Sequence, residues 1–141
     1  MATTTLLAEV RRQPLVVEEV LAAVADPAAG GNAVFVGTVR EEDGGRPVVS
    51  LEYSAHPSAT EVLRALVTAA SGRPGVLRAA VLHRVGTLAV GDVAVVAAVS
   101  AAHRGPALDA CGELVEAVKH ELPVWKHQRF ADGTEEWVGS C

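Results

Sequence analysis

Apolar and polar residues follow two different periods along this chain. In seven short segments, β-branched and other apolar residues alternate with polar ones or run without interruption, which is typical of β-strands. In three other segments, apolar residues recur three or four positions apart, which is the spacing of one helix face. The pattern predicts strands at 5–10, 32–40, 48–54, 76–85, 93–100, 124–130 and 135–138, and helices at 17–25, 58–70 and 107–121.

Residues that favour helix ends stand at the borders of the second and third helical segments. Ser58, with Glu61 three residues later, is a capping-box pattern. Pro106 lies near the first turn of the third helix, where proline fits, and Pro123 ends that helix. Because helices and hairpins alternate unevenly, we expect one α+β domain over 1–141 with a mixed, mainly antiparallel sheet.

Three details refine the predicted sheet. The segment 93–100 is apolar on both faces, which indicates a strand at the centre of the sheet. Gly37 inside 32–40 predicts a bulge or a close approach of another part of the chain. The residues 41–46 are rich in turn formers and predict a hairpin loop or a flap, and 86–92 predicts a plain connection.

The composition limits the partners that the chain can bind. The chain has 141 residues and a net charge of −5. An acidic protein lacks the basic field that nonspecific nucleic-acid binding requires, so any anion site must be a local basic cluster. Aromatic residues are few, and we expect Trp125 and Trp137 to belong to the core.

No segment predicts export, membrane insertion or metal binding. The first residues lack the apolar core of a signal peptide, and the longest apolar stretch, 93–102, is shorter than the ~20 residues that span a bilayer. Cys111 and Cys141 show neither metal-ligand spacing nor a disulfide framework, and Cys111 is expected to be a small buried apolar residue. We therefore expect a cytoplasmic protein with no metal and no cofactor.

The two lysines of the chain stand close together in the sequence. Of the twelve basic residues, only Lys119 and Lys126 are lysines, and they flank the break at Pro123. A lysine amine can lose its proton and act as an acid, base or nucleophile, whereas arginine stays protonated. Taken alone, the two residues could equally be ordinary surface lysines.

Three further basic residues occupy positions where ligands often bind. Arg40 ends a predicted strand, and His103 and Arg104 precede a helix whose free backbone N–H groups favour an anion. Each could be a solvated surface charge by itself. Together with the two lysines they favour a phosphate-bearing substrate.

The spacing along the third helix leads to two expectations. Leu108, Gly112, Val115 and Lys119 share one row of this helix, so we expect Lys119 to be partly buried, which would favour its neutral amine. Arg104 lies fifteen residues before Lys119, or about 22 Å at 1.5 Å per residue. If both serve one site, His103 and Arg104 must come from a second copy in a symmetric dimer.

Several separated motifs resemble one known family, the MoaE type of catalytic large subunit of molybdopterin synthase, over roughly 30–138. The motifs are FVGTVR at 35–40, LEYSAHP at 51–57, HRVGTLAVGD at 83–92, VSAAHR at 99–104, LPVWKHQ at 122–128 and DGTEEWV at 132–138.

The resemblance implies an α/β-hammerhead-like fold and a sulfurtransferase of molybdenum cofactor biosynthesis. Its substrate would be cyclic pyranopterin monophosphate, which receives two sulfur atoms. The sulfur would come from a small ubiquitin-like sulfur-carrier subunit, whose C-terminal Gly-Gly ends in a thiocarboxylate. The assembly implied is a heterotetramer around a homodimer of the large subunit.

The resemblance also implies the site residues. It makes Lys119 and Lys126 catalytic. It assigns substrate contacts to the same two lysines and to Thr38, Val39, Arg40, His103, Arg104, His127 and Gln128. Position 128 is usually Glu in this family, so the resemblance leaves Gln128 hydrogen bonding only, without the charge or proton transfer of a carboxylate.

Two other classes of function remain open on the residues alone. A non-catalytic module could bind a phosphorylated ligand or the Gly-Gly tail of a partner, and it would tolerate Lys119→Arg. A scaffold protein is a third reading, which the basic residues on an acidic body disfavour.

Overall fold

The structure is a computed structural model and describes residues 6–139. Three helices and nine strands lie within this range. In chain order they are β1 Ala8–Arg11, α1 Val17–Val24, β2 Gly31–Thr38, β3 Glu42–Asp43, β4 Arg46–Ala55, α2 Ala59–Ser71, β5 Val76–Arg84, β6 Gly86–Ala89, β7 Val93–Ala101, α3 Arg104–Glu121, β8 Val124–Phe130 and β9 Glu135–Val138.

The first sheet has the strand order β1-β5-β7-β2. Only the β1–β5 pair is parallel, so the predicted mixed and mainly antiparallel α+β architecture is confirmed. Strand β7 lies inside this sheet, as its continuous apolar run predicts, and both of its faces are covered. On one face Val96 and Ala98 pack with Val20 and Val24 of α1. On the other, Ala97 and Val99 belong to the cluster that contains the buried side chains of α2 and α3.

A second sheet has the order β3-β4-β8-β9, with β6 paired to β4. Strands β8 and β9 form the predicted hairpin, but β3 and β6 fall in 41–46 and 86–92, for which no strand was predicted. Both are short, and each is defined by its pairing with β4. The prediction for 5–10 is also displaced, since β1 begins at Ala8 and residue 5 lies outside the described range.

The predicted capping box at α2 is wrong. Ser58 adopts helical backbone angles and makes no side-chain cap bond. Its hydroxyl lies 2.8 Å from Nδ1 of His56, and its backbone N–H donates to the same nitrogen at 3.1 Å. The imidazole nitrogen of His56 therefore accepts a backbone N–H at the start of this helix, which is what the Ser58 hydroxyl was expected to do. Helix α3 begins at Arg104, so that Pro106 lies in its first turn as predicted.

Gly37 combines both features that were predicted for it. The β2–β7 register shifts between Gly37 and Thr38. A Cβ at Gly37 would lie 2.6 Å from Cγ1 of Val95, so another residue does not fit without movement. The strand end is therefore bent while staying packed against β7.

The two tryptophans are not in the core, contrary to the prediction. Trp125 is 42% exposed and Trp137 is 64% exposed. Trp125 lies on the opposite face of β8 from the buried residues Val124 and Gln128. Trp137 stacks on His127. Cys111 is buried, as predicted.

Candidate active site

The bend at the end of β2 delivers three consecutive residues to the site. Val39 is buried, its N–H donates to the carbonyl of Asp92 at 3.0 Å, and its own carbonyl accepts from the N–H of Gly91 at 2.8 Å. This residue anchors the segment. Its neighbours Thr38 and Arg40 are exposed.

The turn at Pro123 brings the two lysines to one place. Lys119 lies in the last turn of α3, and the chain then reverses through the fully buried Leu122 into β8. Lys126 faces the same cavities as Lys119. The end of α3 and the adjoining strand β8 thus bring the two lysines to the same cavities.

A cavity of about 390 Å³ gathers six of the nine residues that were predicted to contact substrate. Its basic groups are Arg40, Lys119 and Lys126, and the carboxylates of Glu42 and Asp43 also line it. The six are Thr38, Val39, Arg40, Lys119, Lys126 and Gln128. Such a cavity suits an anionic ligand.

A second, smaller cavity of about 100 Å³ shares Tyr53, Lys119 and Lys126 with the first. Its other lining residues are His83, Val95, Ala97, Val115, Val118, Val124, Val138 and Gly139. Most of these are apolar. We call the larger cavity the basic chamber and the smaller one the apolar slot, and the two lysines stand where they meet.

His83 is a polar residue of the apolar slot that the sequence left without a role. Its Nδ1 lies 2.8 Å from the carbonyl of Arg84, which places the proton on that nitrogen in the neutral ring. Burial, with a smaller contribution from the charge of Lys119, lowers its pKa. The ring meets that of Tyr53 edge to face at 5.1 Å, and burial raises the pKa of Tyr53.

The sequence missed Asp43. The side-chain amide of Gln128 donates to Oδ2 of Asp43 at 2.6 Å, and Oδ1 lies 3.7 Å from Nη2 of Arg40. The bond from Gln128 lowers the pKa of this carboxyl, and the charges of Lys126, Arg40 and Arg46 lower it further. The sequence predicts a loop or flap at 41–46, so no strand or helix period predicts where the Asp43 side chain lies.

Three predicted contacts lie outside this cavity. His103 and Arg104 stand at the start of α3, about 22 Å from Lys119 along the helix. His127 faces the opposite side of β8 from its neighbours Lys126 and Gln128, where it stacks on Trp137 at 4.3 Å between ring centroids and lies 3.6 Å from Glu135.

The expected partial burial of Lys119 is wrong, because the residue is exposed in this chain. The row that suggested it is not the buried one: Leu108 is 62% exposed. The buried stripe of α3 consists of Ala107, Ala110, Cys111, Leu114 and Val118.

Within residues 6–139, no group of three His, Cys, Asp or Glu side chains is placed to hold a metal ion. No helix of that range is both long and apolar enough to cross a membrane.

Comparison with known proteins gives consistent matches over most of the chain. A family model described as MoaE protein matches residues 10–121. Molybdopterin synthase catalytic subunit 1 of Mycobacterium tuberculosis is 43% identical over 128 residues, covering 90% of this chain and 86% of that protein.

Solved structures agree with the sequence matches. The crystal structure of molybdopterin synthase from Staphylococcus aureus superposes with a TM-score of 0.87 and 30% identity, covering 99% of both chains. A complex of subunits 1 and 2 of molybdopterin-converting factor from Helicobacter pylori shares the fold, with a TM-score of 0.73, 22% identity and coverage of 92% of this chain and 88% of that one.

Proposed function

This chain belongs to the MoaE family of molybdopterin synthase catalytic subunits, enzymes of molybdenum cofactor biosynthesis, and from that premise we propose its reaction. It transfers sulfur to cyclic pyranopterin monophosphate, and the sulfur comes from the C-terminal thiocarboxylate of a small ubiquitin-like partner subunit. The observation that carries the proposal is the meeting of a basic chamber and an apolar slot at Lys119 and Lys126.

The basic chamber would take the substrate. Arg40 at its rim binds the cyclic phosphate through charge-assisted hydrogen bonds. Thr38 and the anchored Val39 form the adjoining wall, and Lys126 supports the phosphate or the leaving group. Gln128 supports the wall through Asp43.

The apolar slot would take the tail of the partner subunit. A cavity of about 100 Å³ is small, and a Gly-Gly end has no side chains that the cavity would have to hold. The Helicobacter pylori structure contains both subunits of a molybdopterin-converting factor, which supports a two-subunit assembly for a chain with the same fold.

Lys119 stands where the two ligands would meet. There its ammonium can stabilise the negative charge that develops on oxygen during sulfur transfer, or it can move a proton. Such contributions are worth about 10²–10⁴-fold in rate in typical enzymes.

The remaining anion contacts would come from a second copy, joined at β2. This strand is at one end of the first sheet, and Val34, Phe35 and Val36 on it are all at least 36% exposed. Gly31 packs against Arg104, since a Cβ there would lie 3.3 Å from the Arg104 Cα.

The length of β2 fits this assembly. Its eight residues place Gly31 about 24 Å from Thr38, close to the roughly 22 Å that separates Arg104 from Lys119. If two β2 strands pair antiparallel about a two-fold axis, Gly31 of each copy lies beside Thr38 of the other. His103 and Arg104 of one copy then reach the cavity of its neighbour. His127 lies on the far side of β8, so it would affect the substrate only indirectly, through the position of that strand.

Mixing two inactive variants tests both the reaction and the shared site. Lys119→Ala and Arg104→Ala are each assayed for sulfur transfer with a thiocarboxylated small subunit, then mixed and allowed to exchange subunits. Each variant alone should be inactive. In a mixed dimer one of the two sites is wholly wild type, so the mixture should recover about a quarter of wild-type activity.

A mixture that stays inactive after verified exchange contradicts the shared site. Near-normal turnover by Lys119→Ala contradicts the reaction itself. A non-catalytic module would bind the tail or a phosphate but show no turnover even in the wild type.

A further inference from the structure

Asp43 is a carboxylate inside a cavity whose other features suit an anion. Its Oδ2 accepts from Gln128 at 2.6 Å, and Gln128 is 2% exposed in the middle of the second sheet. The donor is therefore fixed, and it holds the carboxylate in place. The backbone of Asp43 is held as well, since it pairs with Arg46 in the β3–β4 ladder.

The position of Asp43 changes the charge that an incoming anion meets. Three cations of this chain line the chamber, namely Arg40, Lys119 and Lys126. Asp43 lies close to the first, at 3.7 Å, and Glu42 adds a second carboxylate to the lining. An anion bound to Arg40 would thus lie a few ångströms from a fixed negative charge, and the repulsion grows with the charge of the anion.

This arrangement distinguishes two classes of phosphate. A phosphodiester, including a cyclic one, carries one negative charge. A phosphomonoester or inorganic phosphate approaches two negative charges above neutral pH. Gln128 and the surrounding cations lower the pKa of this carboxyl, so it is ionised at neutral pH.

We propose that Asp43 is a specificity-determining residue, whose carboxylate, clamped by Gln128, favours singly charged phosphodiesters by weakening the binding of doubly charged phosphates more strongly than that of singly charged ones. The inference rests on the proposed function, which places a cyclic phosphodiester in this chamber. It adds that the charge of Asp43 disfavours free phosphate and phosphomonoesters, although their phosphate groups are no larger. Asp43 thereby reduces the positive charge that the basic residues of the chamber present to an anion.

Binding of two small probes tests the preference without turnover. Dimethyl phosphate carries one charge, and methyl phosphate carries nearly two at about pH 8. Each is titrated into the full-length protein, and the NMR signal of the Gln128 side-chain amide, which contacts Asp43, reports binding. Wild type is compared with Asp43→Asn, which keeps an oxygen that accepts from Gln128 but removes the charge.

A matched control removes a charge elsewhere. Glu41 is exposed and adjoins the same hairpin without lining the chamber, so Glu41→Gln changes the net charge equally. We expect Asp43→Asn to tighten methyl phosphate by about tenfold and dimethyl phosphate by about threefold. Glu41→Gln should change both by less than about twofold.

Three results would overturn the inference. The affinities for the two probes could rise equally in Asp43→Asn, Asp43→Asn could leave both affinities unchanged, or Glu41→Gln could reproduce the effect. All three would leave the proposed sulfur transfer untouched. Failure of wild type and Asp43→Asn to bind either probe would contradict the anion chamber and, with it, the proposed function as well.

Discussion

Lys126 lies directly opposite Tyr53 in the antiparallel β4–β8 ladder, and both residues line the basic chamber and the apolar slot. The pair lies where the two cavities meet, and Lys119, at the end of α3, also lines both cavities. The site is therefore assembled from two sheets and one helix end, each held by buried neighbours. Few of its groups depend on a loop for their position.

Replacing Lys119 by Arg should abolish sulfur transfer although the positive charge remains. A guanidinium keeps its proton throughout the working pH range, and its planar fork is longer than an ammonium. Because Lys119 is exposed in the chain, the melting temperature should stay within about 1 °C of wild type. His120→Ala, an exposed change one residue along, is the control and should be fully active. Substantial turnover by Lys119→Arg would favour a purely electrostatic role for this position.

Gly37→Ala should lower the free energy of unfolding by about 2 kcal/mol through overpacking. Its Cβ would lie 2.6 Å from Cγ1 of Val95 and 3.2 Å from Cε1 of Phe35. Adding Val95→Ala should restore part of the loss, because it removes the closer of the two atoms. Gly112→Ala on α3 is the control: no heavy atom lies within 4 Å of its Cβ, and it should stabilise the protein by up to about 1 kcal/mol. Urea unfolding measures all four proteins.

The sequence predicted those parts of the fold that depend on local pattern. The apolar run in β7, the close contact at Gly37 and the helix stop at Pro123 could each be read from neighbouring residues. Strands β3 and β6 could not. Strand β3 has two residues, too few to show a period, and β6 exists only through its pairing with β4, more than thirty residues away in the chain. Asp43 was missed for the same reason, since its partner Gln128 lies 85 residues further on.

Helix α3 shows how a correct period can still give a wrong face. The sequence predicts an apolar stripe through Leu108 and Val115, whereas the buried stripe lies one position away, at Ala107 and Leu114. Small residues such as Ala and Cys fill that stripe, so hydrophobicity alone did not identify it. The row through Leu108 leads to the expectation that Lys119 is partly buried, although its place at the end of the helix is predicted correctly.

Gln128→Glu should destabilise the protein near pH 7 by about 2 kcal/mol. The change removes the amide that donates to Asp43 and places a second carboxylate beside it. One of the two carboxyl groups then keeps a raised pKa in the folded state, so the deficit relative to wild type should shrink as pH falls toward 5. Urea unfolding between pH 7.5 and about 5 gives this difference. Adding Asp43→Asn restores a donor–acceptor pair with the roles exchanged and should recover most of the loss; a deficit independent of pH would point to packing instead.

Val34→Lys should convert the proposed dimer into a monomer. Val34 is 42% exposed near the middle of β2, so two such residues would face each other or near neighbours across the two-fold axis, and like charges there repel. Val49→Lys is the control, since Val49 is 57% exposed on β4 and carries the same change of charge away from β2. Light scattering should give half the mass for Val34→Lys alone, with sulfur transfer lost in the same variant. A dimeric Val34→Lys protein would place the interface elsewhere.

His83 should make stability fall as the pH drops below about 6.5. Burial lowers the pKa of this imidazole in the folded protein from its ordinary 6.5, so below that value the unfolded chain binds a proton that the folded one does not. The stability is fully present above the unfolded pKa, and it is lost as pH falls from there toward the folded pKa. The loss should amount to about 1 kcal/mol between pH 6.5 and 5.5. Urea unfolding of His83→Gln and of the exposed control His120→Gln isolates this contribution from the other groups that titrate in the same range. His120→Gln should retain the wild-type slope over this interval and His83→Gln should lose it, whereas identical slopes in all three proteins would mean that His83 is protonated within the fold.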